Sequence, residues 1–159
     1  MVKTNKYLLI GMGNSGRADD GLGWAFLDKI AQNPAFNFDL EYRYQLQIED
    51  AELISNYENV YFIDAHYKAF DKGFDIYPCE AKSMDSFSSH ELSPQSILAL
   101  AKTIYNKEPT AFILGISGQD FRLHSGISNI AQHNLDKALQ YFTHSILPIL
   151  ITDKSHQLL

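Results

Sequence analysis

The chain has 159 residues, of which 45% are hydrophobic and 20% charged, a composition typical of one globular domain and not of a disordered chain. Nineteen acidic against thirteen basic residues give a net charge of −6, which disfavours nucleic acid and anionic membranes as partners. The single cysteine, Cys79, excludes an intrachain disulfide, and we expect a cytoplasmic protein. The N-terminal apolar run is too short for a signal peptide, and no segment reaches the roughly 18 apolar residues of a membrane span.

The first half of the chain alternates predicted strands with predicted helices. The apolar run Tyr7–Ile10 stops at a glycine and predicts a strand buried on both faces. A helix is predicted over residues 20–32. Alternating apolar and polar residues over 38–46 then predict a half-exposed strand towards a sheet edge. A short helix over 50–56 leads into another buried strand over 60–63.

The second half of the chain continues this alternation. Residues 74–77 predict a short strand, and Pro78 beside it suits a sheet edge. The pair Ser93–Pro94 predicts a helix start, with serine as the N-cap and proline at the first helical position. A fifth strand is predicted over 111–114 and a long final helix over 127–147.

Two helices in this half show an apolar stripe at helical spacing, which predicts the face that each helix buries. The stripe of the first includes Ile104 and Tyr105, and that of the second includes Ile130. The polar residues 152–159 are expected to form a tail beyond a single domain of residues 1–151. Strands alternating with helices predict a three-layer α/β/α sandwich with a mainly parallel sheet, in which ligands bind beyond the carboxyl ends of the strands.

The glycines after the first strand, Gly11, Gly13 and Gly16, have the spacing of a dinucleotide-binding loop. In that fold the pyrophosphate lies at a helix N-terminus, but here Asp19 and Asp20 stand where the helix should be running, and their charges would repel a phosphate. The acidic residue expected at the end of the second strand is also missing. Nucleotide binding through this loop stays as an alternative function.

Three polar segments follow predicted strands or precede predicted helices. In the pair Asp19 and Asp20, one carboxylate can cap the first helix while the other faces the crevice at the strand ends. Asp64 closes a buried strand, and His90 lies in a polar loop before a helix. Asp20, Asp64 and His90 together predict an open site for a divalent ion such as Zn²⁺ or Ni²⁺. Thiolate ligation is not expected, because Cys79 has no second cysteine beside it.

The motifs as a series resemble the nickel–iron hydrogenase maturation endopeptidases. The stretch 8–23, with LLIGMGN and then DDGLG, is similar to the amino-terminal signature of that family, and FIDA at 62–65 to its second signature. SSHELSP at 88–94 is similar to the family's histidine segment, and residues 115–128 to the approach to its last helix. The resemblance covers roughly residues 5–147.

This resemblance implies an α/β/α sandwich with a five-stranded twisted sheet. It implies an endopeptidase, of an aspartic or metal-dependent type, that removes a short C-terminal peptide from a hydrogenase large-subunit precursor once nickel is in place. Asp20, Asp64 and His90 match the family's metal-contacting positions and are expected to be the catalytic residues. No tightly bound cofactor is expected, because the nickel arrives with the precursor; zinc or cadmium are its expected substitutes in vitro.

The resemblance also assigns Asn14, Asp19 and Gly115 to substrate binding. His66, two residues after Asp64, lies outside the family's signatures, and the sequence leaves its role open. A relative that binds the precursor or a metal ion without cutting is the second alternative function.

Overall fold

The structure is a computed structural model that describes residues 6–82 and 92–156, with side chains up to residue 152. Helices cover both faces of one five-stranded sheet, which confirms the predicted three-layer α/β/α sandwich. The strands β1 to β5 are Tyr7–Met12, Asp39–Arg43, Asn59–His66, Phe74–Cys79 and Thr110–Ser117. The helices α1 to α5 are Leu22–Ile30, Asp50–Ile54, Pro94–Tyr105, Asn129–Tyr141 and Leu147–His156.

The strands lie in the order β2-β1-β3-β5-β4. All neighbouring pairs are parallel except β4 and β5, which are antiparallel. The two predicted edge strands, β2 and β4, are confirmed as the edges. Pro78 lies in β4, where its missing N–H is tolerated because an edge strand pairs on one side only. Because β1, β2, β3 and β5 are parallel, their carboxyl ends all lie at the same end of the sheet.

The core has two layers, one on each face of the sheet. Alternate residues of β3 serve the two layers: Tyr61 and Ile63 pack on the side of α1, α4 and α5, whereas Val60 and Phe62 pack on the side of α2 and α3. Because side chains alternate along a strand, Asp64 continues the series of Val60 and Phe62 and lies on the α2 and α3 side of the sheet.

Helix α1 lies directly against the carboxyl ends of β1 and β3. A Cβ atom on Gly23 would stand 2.5 Å from the carbonyl oxygens of both Met12 and Ile63, well inside van der Waals contact. Only glycine permits this approach without moving backbone. The start of α1 is thereby fixed beside the strand ends, where ligands bind in parallel sheets.

Two of the predicted apolar stripes are wrong in part. Ile104 and Tyr105 are exposed at the end of α3, because the buried face of this helix ends at Ala101. Ile130 is 50% exposed, because the face of α4 that packs on the sheet is centred on Ala131 and continues through later turns. Helical spacing predicted both helices, but each helix packs fewer residues against the sheet than its apolar stripe predicted.

The last helical segment is longer than predicted. Helix α4 runs into a π-helical turn, Phe142–Ile146, and then into α5, which continues to His156. The extra residue of a π turn changes the helical phase, so that Phe142 and Leu147 are both buried. The chain therefore remains helical past the predicted domain boundary at residue 151. Within the described residues, no helix is long and apolar enough to cross a membrane.

Candidate active site

The loop after β1 closes tightly on Asp20. Gly13 has a φ of +134°, and a Cβ atom there would stand 1.9 Å from the carbonyl oxygen of Asp20. The Asn14 N–H donates to the Asp20 carbonyl at 3.2 Å and to Asp20 Oδ2 at 3.0 Å. This turn fixes the half-buried Asp20 carboxylate at the carboxyl end of β1. Asn14, a predicted substrate-binding residue, acts here through its backbone.

The same contacts disfavour a phosphate in the glycine loop. The Asn14 N–H is engaged by Asp20, and the Gly16 N–H donates to Asn14 Oδ1 at 2.8 Å. A 3₁₀ turn over Ala18–Gly21 separates the loop from α1, whereas a dinucleotide loop leads directly into the helix whose N-terminus meets the phosphate. Two amides of the loop, those of Asn14 and Gly16, therefore already have acceptors within the protein.

Asp19 is fully buried and holds two loops together. Its carboxylate accepts the N–H groups of Gln119 and Asp120, both at 2.8 Å, and the N–H and Oγ–H of Ser128, both at 2.7 Å. Burial alone would raise the pKa of Asp19, but these four hydrogen bonds favour the charged form and lower it. Asp19 was expected to bind substrate; its burial and its partners instead give it a structural role.

Asp64 is in β3, next to the strand that leads to Asp20. Gly11 of β1 pairs with Ile63, so Asp64 follows at the level where β1 ends. Both Asp20 and Asp64 are half-buried, and the backbone at the start of α1 packs between their strands through Gly23. The structure therefore places both predicted carboxylates at the carboxyl ends of adjacent parallel strands.

His90 lies outside the described residues, and its place in the site stays a prediction. The described chain resumes at Leu92, which forms an antiparallel bridge with Leu46 beyond the end of β2. Ser93 then caps α3 as predicted, in a reciprocal pair of hydrogen bonds with Ser96. The segment that follows His90 in the sequence thus lies at the end of the sheet where the strands carrying the two carboxylates finish.

Gly115 lies beside Asp64 in the middle of the sheet. It pairs with Asp64 of β3 on one side and Asp75 of β4 on the other. A Cβ atom on Gly115 would stand 3.4 Å from Phe70 and 3.7 Å from His66, so both side chains cover the glycine at van der Waals distance. Gly115 is buried beneath these side chains, and its predicted contact with substrate stays a prediction.

His66 is the neighbour of Asp64 that the sequence left without a role. It ends β3 two residues after Asp64 and on the same face of the strand. Its Nδ1 accepts the Lys68 N–H at 2.9 Å, and its ring packs on Phe70 with centroids 5.0 Å apart. The spacing of two residues was a usable signal, because it puts both side chains on one side of the sheet.

A second polar cluster, unforeseen in the sequence, braces the loop before α4. Asp120 Oδ2 lies 2.7 Å from His124 Nε2 and its Oδ1 lies 3.0 Å from Arg122 Nε. Hydrogen bonds from Arg122 and His124 lower the pKa of Asp120, and the bond to Asp120 raises the pKa of His124. Since the Asp120 backbone also exchanges hydrogen bonds with Asp19, this cluster stabilises the loop that Asp19 anchors.

The donor set at the strand ends suits a borderline divalent ion once His90 is added. Among residues 6–82 and 92–152, no three His, Cys, Asp or Glu side chains lie close enough to hold a metal ion. Asp20 and Asp64 offer carboxylate oxygens, and the predicted third donor is an imidazole nitrogen. Oxygen and nitrogen donors of this kind fit Zn²⁺ or Ni²⁺.

Cys79 is not a nucleophile in this arrangement. It is buried at the end of β4, and burial raises the pKa of its thiol to about 11. Because the thiolate is the reactive form, a thiol of this kind is inert near neutral pH. Cys79 is therefore disfavoured as the source of a nucleophile.

No family model matches the chain, and no curated protein sequence matches it. Solved structures do. The hydrogenase maturating endopeptidase HybD from E. coli has a TM-score of 0.65 and 14% identity, covering 86% of this chain and 88% of that one. A hydrogenase 2 maturation peptidase from a Thaumarchaeota archaeon has a TM-score of 0.65 and 17% identity, and the match covers 89% of this chain and 98% of that one. The [NiFe] hydrogenase maturation protease HycI from Thermococcus kodakarensis has a TM-score of 0.65 and 18% identity, and the match covers 91% of this chain and 92% of that one. At these identities the likeness establishes a shared fold.

Proposed function

We propose that this protein is an endopeptidase that removes the C-terminal extension of a nickel–iron hydrogenase large-subunit precursor after nickel insertion. The observation that carries the proposal is the placement of Asp20 and Asp64 at the carboxyl ends of β1 and β3. The fold shared with hydrogenase maturation proteases supports the same conclusion. The proposed partner is the precursor, and the proposed compartment is the cytoplasm.

The two carboxylates would recognise a precursor by the nickel ion that it carries. Asp20 is oriented by the Asn14 N–H, and Asp64 is oriented by its position within β3. With His90 they would complete the coordination of an ion that is part of the substrate. A divalent ion supplies Lewis-acid chemistry, either at the scissile carbonyl or at an attacking water.

Nickel dependence follows from the charges at the site. Two carboxylates at adjacent strand ends attract a cation. A precursor without nickel brings no cation to these carboxylates, so its tail would bind weakly. The protein would therefore discriminate between loaded and empty precursors by electrostatics and not by the sequence of the tail.

The roles of the three residues can be tested by substitution. Asp20→Asn, Asp64→Asn and His90→Ala should each slow cleavage of nickel-loaded precursor by about 100-fold or more, because each removes a ligand or its charge. Asp75→Asn is a matched control, since this exposed carboxylate lies beyond Gly115 in the same row of the sheet. The control should cleave within about twofold of the unchanged protein.

Mass spectrometry of the precursor gives the rates, and thermal unfolding of each variant verifies that it is folded. Full activity in Asp20→Asn and Asp64→Asn would overturn the proposed site. Retained binding of loaded precursor without any cleavage by the unchanged protein would instead indicate a relative that binds and does not cut. A thermal shift with NAD or ATP would favour the glycine loop as a nucleotide site.

A further inference from the structure

We propose that His66 is a substrate-binding residue, whose Nε2–H donates a hydrogen bond to a backbone carbonyl of the precursor tail beside Asp64. This inference rests on the peptidase function proposed above and extends it to a residue outside the three expected ligands. It follows from where the imidazole lies and from which of its nitrogens carries the proton.

The half-buried imidazole lies near Asp64 at the carboxyl end of β3. Asp64 and His66 are two residues apart in β3 and face the same side of the sheet. Gly115 pairs with Asp64 and has no side chain, and His66 Cδ2 stands 3.7 Å from the place that a Cβ on Gly115 would take. The Cβ and Cδ2 atoms of His66 therefore face the row of Asp64 and Gly115, and Nε2 is the ring atom that follows Cδ2.

The hydrogen bond to Lys68 decides the tautomer. A backbone N–H can only donate, so His66 Nδ1, at 2.9 Å from the Lys68 nitrogen, is the acceptor. In a neutral imidazole with an acceptor at Nδ1, the proton is on Nε2. His66 therefore carries an N–H donor at Nε2. Phe70 packs on the ring and holds it in this orientation.

This tautomer makes His66 a poor metal ligand and a good partner for a peptide. A nitrogen that carries a proton has no lone pair for an ion, and Nδ1 uses its lone pair on Lys68. A peptide tail brings a carbonyl acceptor at every residue. The Asp20 and Asp64 carboxylates can accept hydrogen bonds but cannot donate them, so the site needs a donor to hold such a carbonyl.

The nearby hydroxyl is already committed. Ser117 Oγ accepts the Phe70 N–H at 2.9 Å and donates to the Lys68 carbonyl at 2.8 Å. These bonds fix the backbone of Lys68 and Phe70, the two residues that contact the His66 ring. The loop after β3 thus has its own internal bonds, and the Nε2–H is a donor of its most buried polar side chain apart from Ser117.

Three substitutions separate a substrate contact from a structural one. In His66→Asn, the amide oxygen superposes on Nδ1 and keeps the bond to Lys68, while the amide nitrogen takes the place of Cδ2, so that no donor remains at the place of Nε2. In His66→Gln, the terminal amide reaches the place of Nε2 and keeps a donor, but the bond to Lys68 is lost. His66→Phe keeps the ring packing on Phe70 and loses both bonds.

We expect kcat/KM for cleavage of nickel-loaded precursor to fall roughly tenfold in His66→Asn and His66→Phe, the effect of one hydrogen bond. His66→Gln should stay within about threefold of the unchanged protein. His133→Gln is the matched control, because His133 is exposed on α4, and its kcat/KM should not change.

The pattern of rescue distinguishes a substrate contact of His66 from a purely structural role. Recovery by asparagine but not by glutamine would mean that His66 only holds the turn at Lys68, and the inference would be wrong. Unchanged kcat/KM in all three variants would also overturn it, while the proposed function stands. If the unchanged protein cuts no loaded precursor at all, the proposed function fails, and this inference fails with it.

Discussion

The Asp19 carboxylate and the Ser128 N-cap are joined by two hydrogen bonds of 2.7 Å across 109 positions of sequence. Ser128 begins α4, because its Oγ also accepts the Ala131 N–H. Asp19 stands in the turn before α1, immediately before Asp20. The contact therefore ties the start of α4 to the turn that orients a proposed nickel ligand.

Replacing Asp19 by asparagine should destabilise the protein by about 2–4 kcal/mol. The amide would face at least one of the four donors that the carboxylate now accepts, and a buried donor would be left without an acceptor. Urea unfolding measures the effect. Asp71→Asn, an exposed position between β3 and β4, should change stability by less than about 0.5 kcal/mol.

The contribution of Asp19 to stability should depend on pH. The folded protein holds the pKa of Asp19 below its ordinary value of 3.8, so its contribution is full above that pH and is lost as the pH falls through the folded pKa. Asparagine does not titrate. The difference in unfolding free energy between the unchanged protein and Asp19→Asn should therefore shrink on going from pH 6 to about pH 2. A constant difference would contradict the shifted pKa.

Gly13 and Gly16 lie in the same loop and should respond very differently to alanine. At Gly13 a Cβ would collide with the Asp20 carbonyl at a positive φ, whereas at Gly16 its nearest neighbour is Asn14 Oδ1 at 3.2 Å. Gly13→Ala should cost about 2 kcal/mol or more and displace Asp20, so cleavage should fall as well. Gly16→Ala should change stability by less than about 1 kcal/mol. Equal effects on cleavage would contradict the role given to the Gly13 turn.

Alkylation of the folded protein should be slow and without effect on cleavage. The Cys79 thiol is buried in β4, and burial raises its pKa to about 11, so little thiolate is present at pH 8. Iodoacetamide should modify it much more slowly than a free cysteine, with the modified fraction read by mass spectrometry. Rapid modification with loss of cleavage would point to a cysteine nucleophile.

The fold was predictable because its signals are local. Continuous apolar runs predicted the buried strands β1, β3 and β5, and alternation over 38–46 predicted an edge strand. Ser93 and Pro94 predicted the start of α3 from capping chemistry alone. The π turn at Phe142–Ile146 could not be predicted, because it depends on how the last helix packs and not on a residue pattern.

The site was predictable only in part. Asp64 follows from the rule that residues closing parallel strands face the ligand crevice. The separate roles of Asp19 and Asp20 depend on partners such as Gln119 and Ser128, roughly a hundred residues away, which local pattern cannot reveal. His66 has a local partner, the Lys68 N–H two residues on, but this hydrogen bond depends on the fold of the loop and not on a residue pattern.

Incubation of nickel-loaded precursor with this protein, beside nickel-free precursor, tests the proposed function most directly. Intact-mass spectrometry should show one C-terminal cut in the loaded precursor and none in the empty one, because the proposed site needs the ion between Asp20 and Asp64. An uncut loaded precursor, or equal cutting of both forms, would contradict a nickel-dependent endopeptidase.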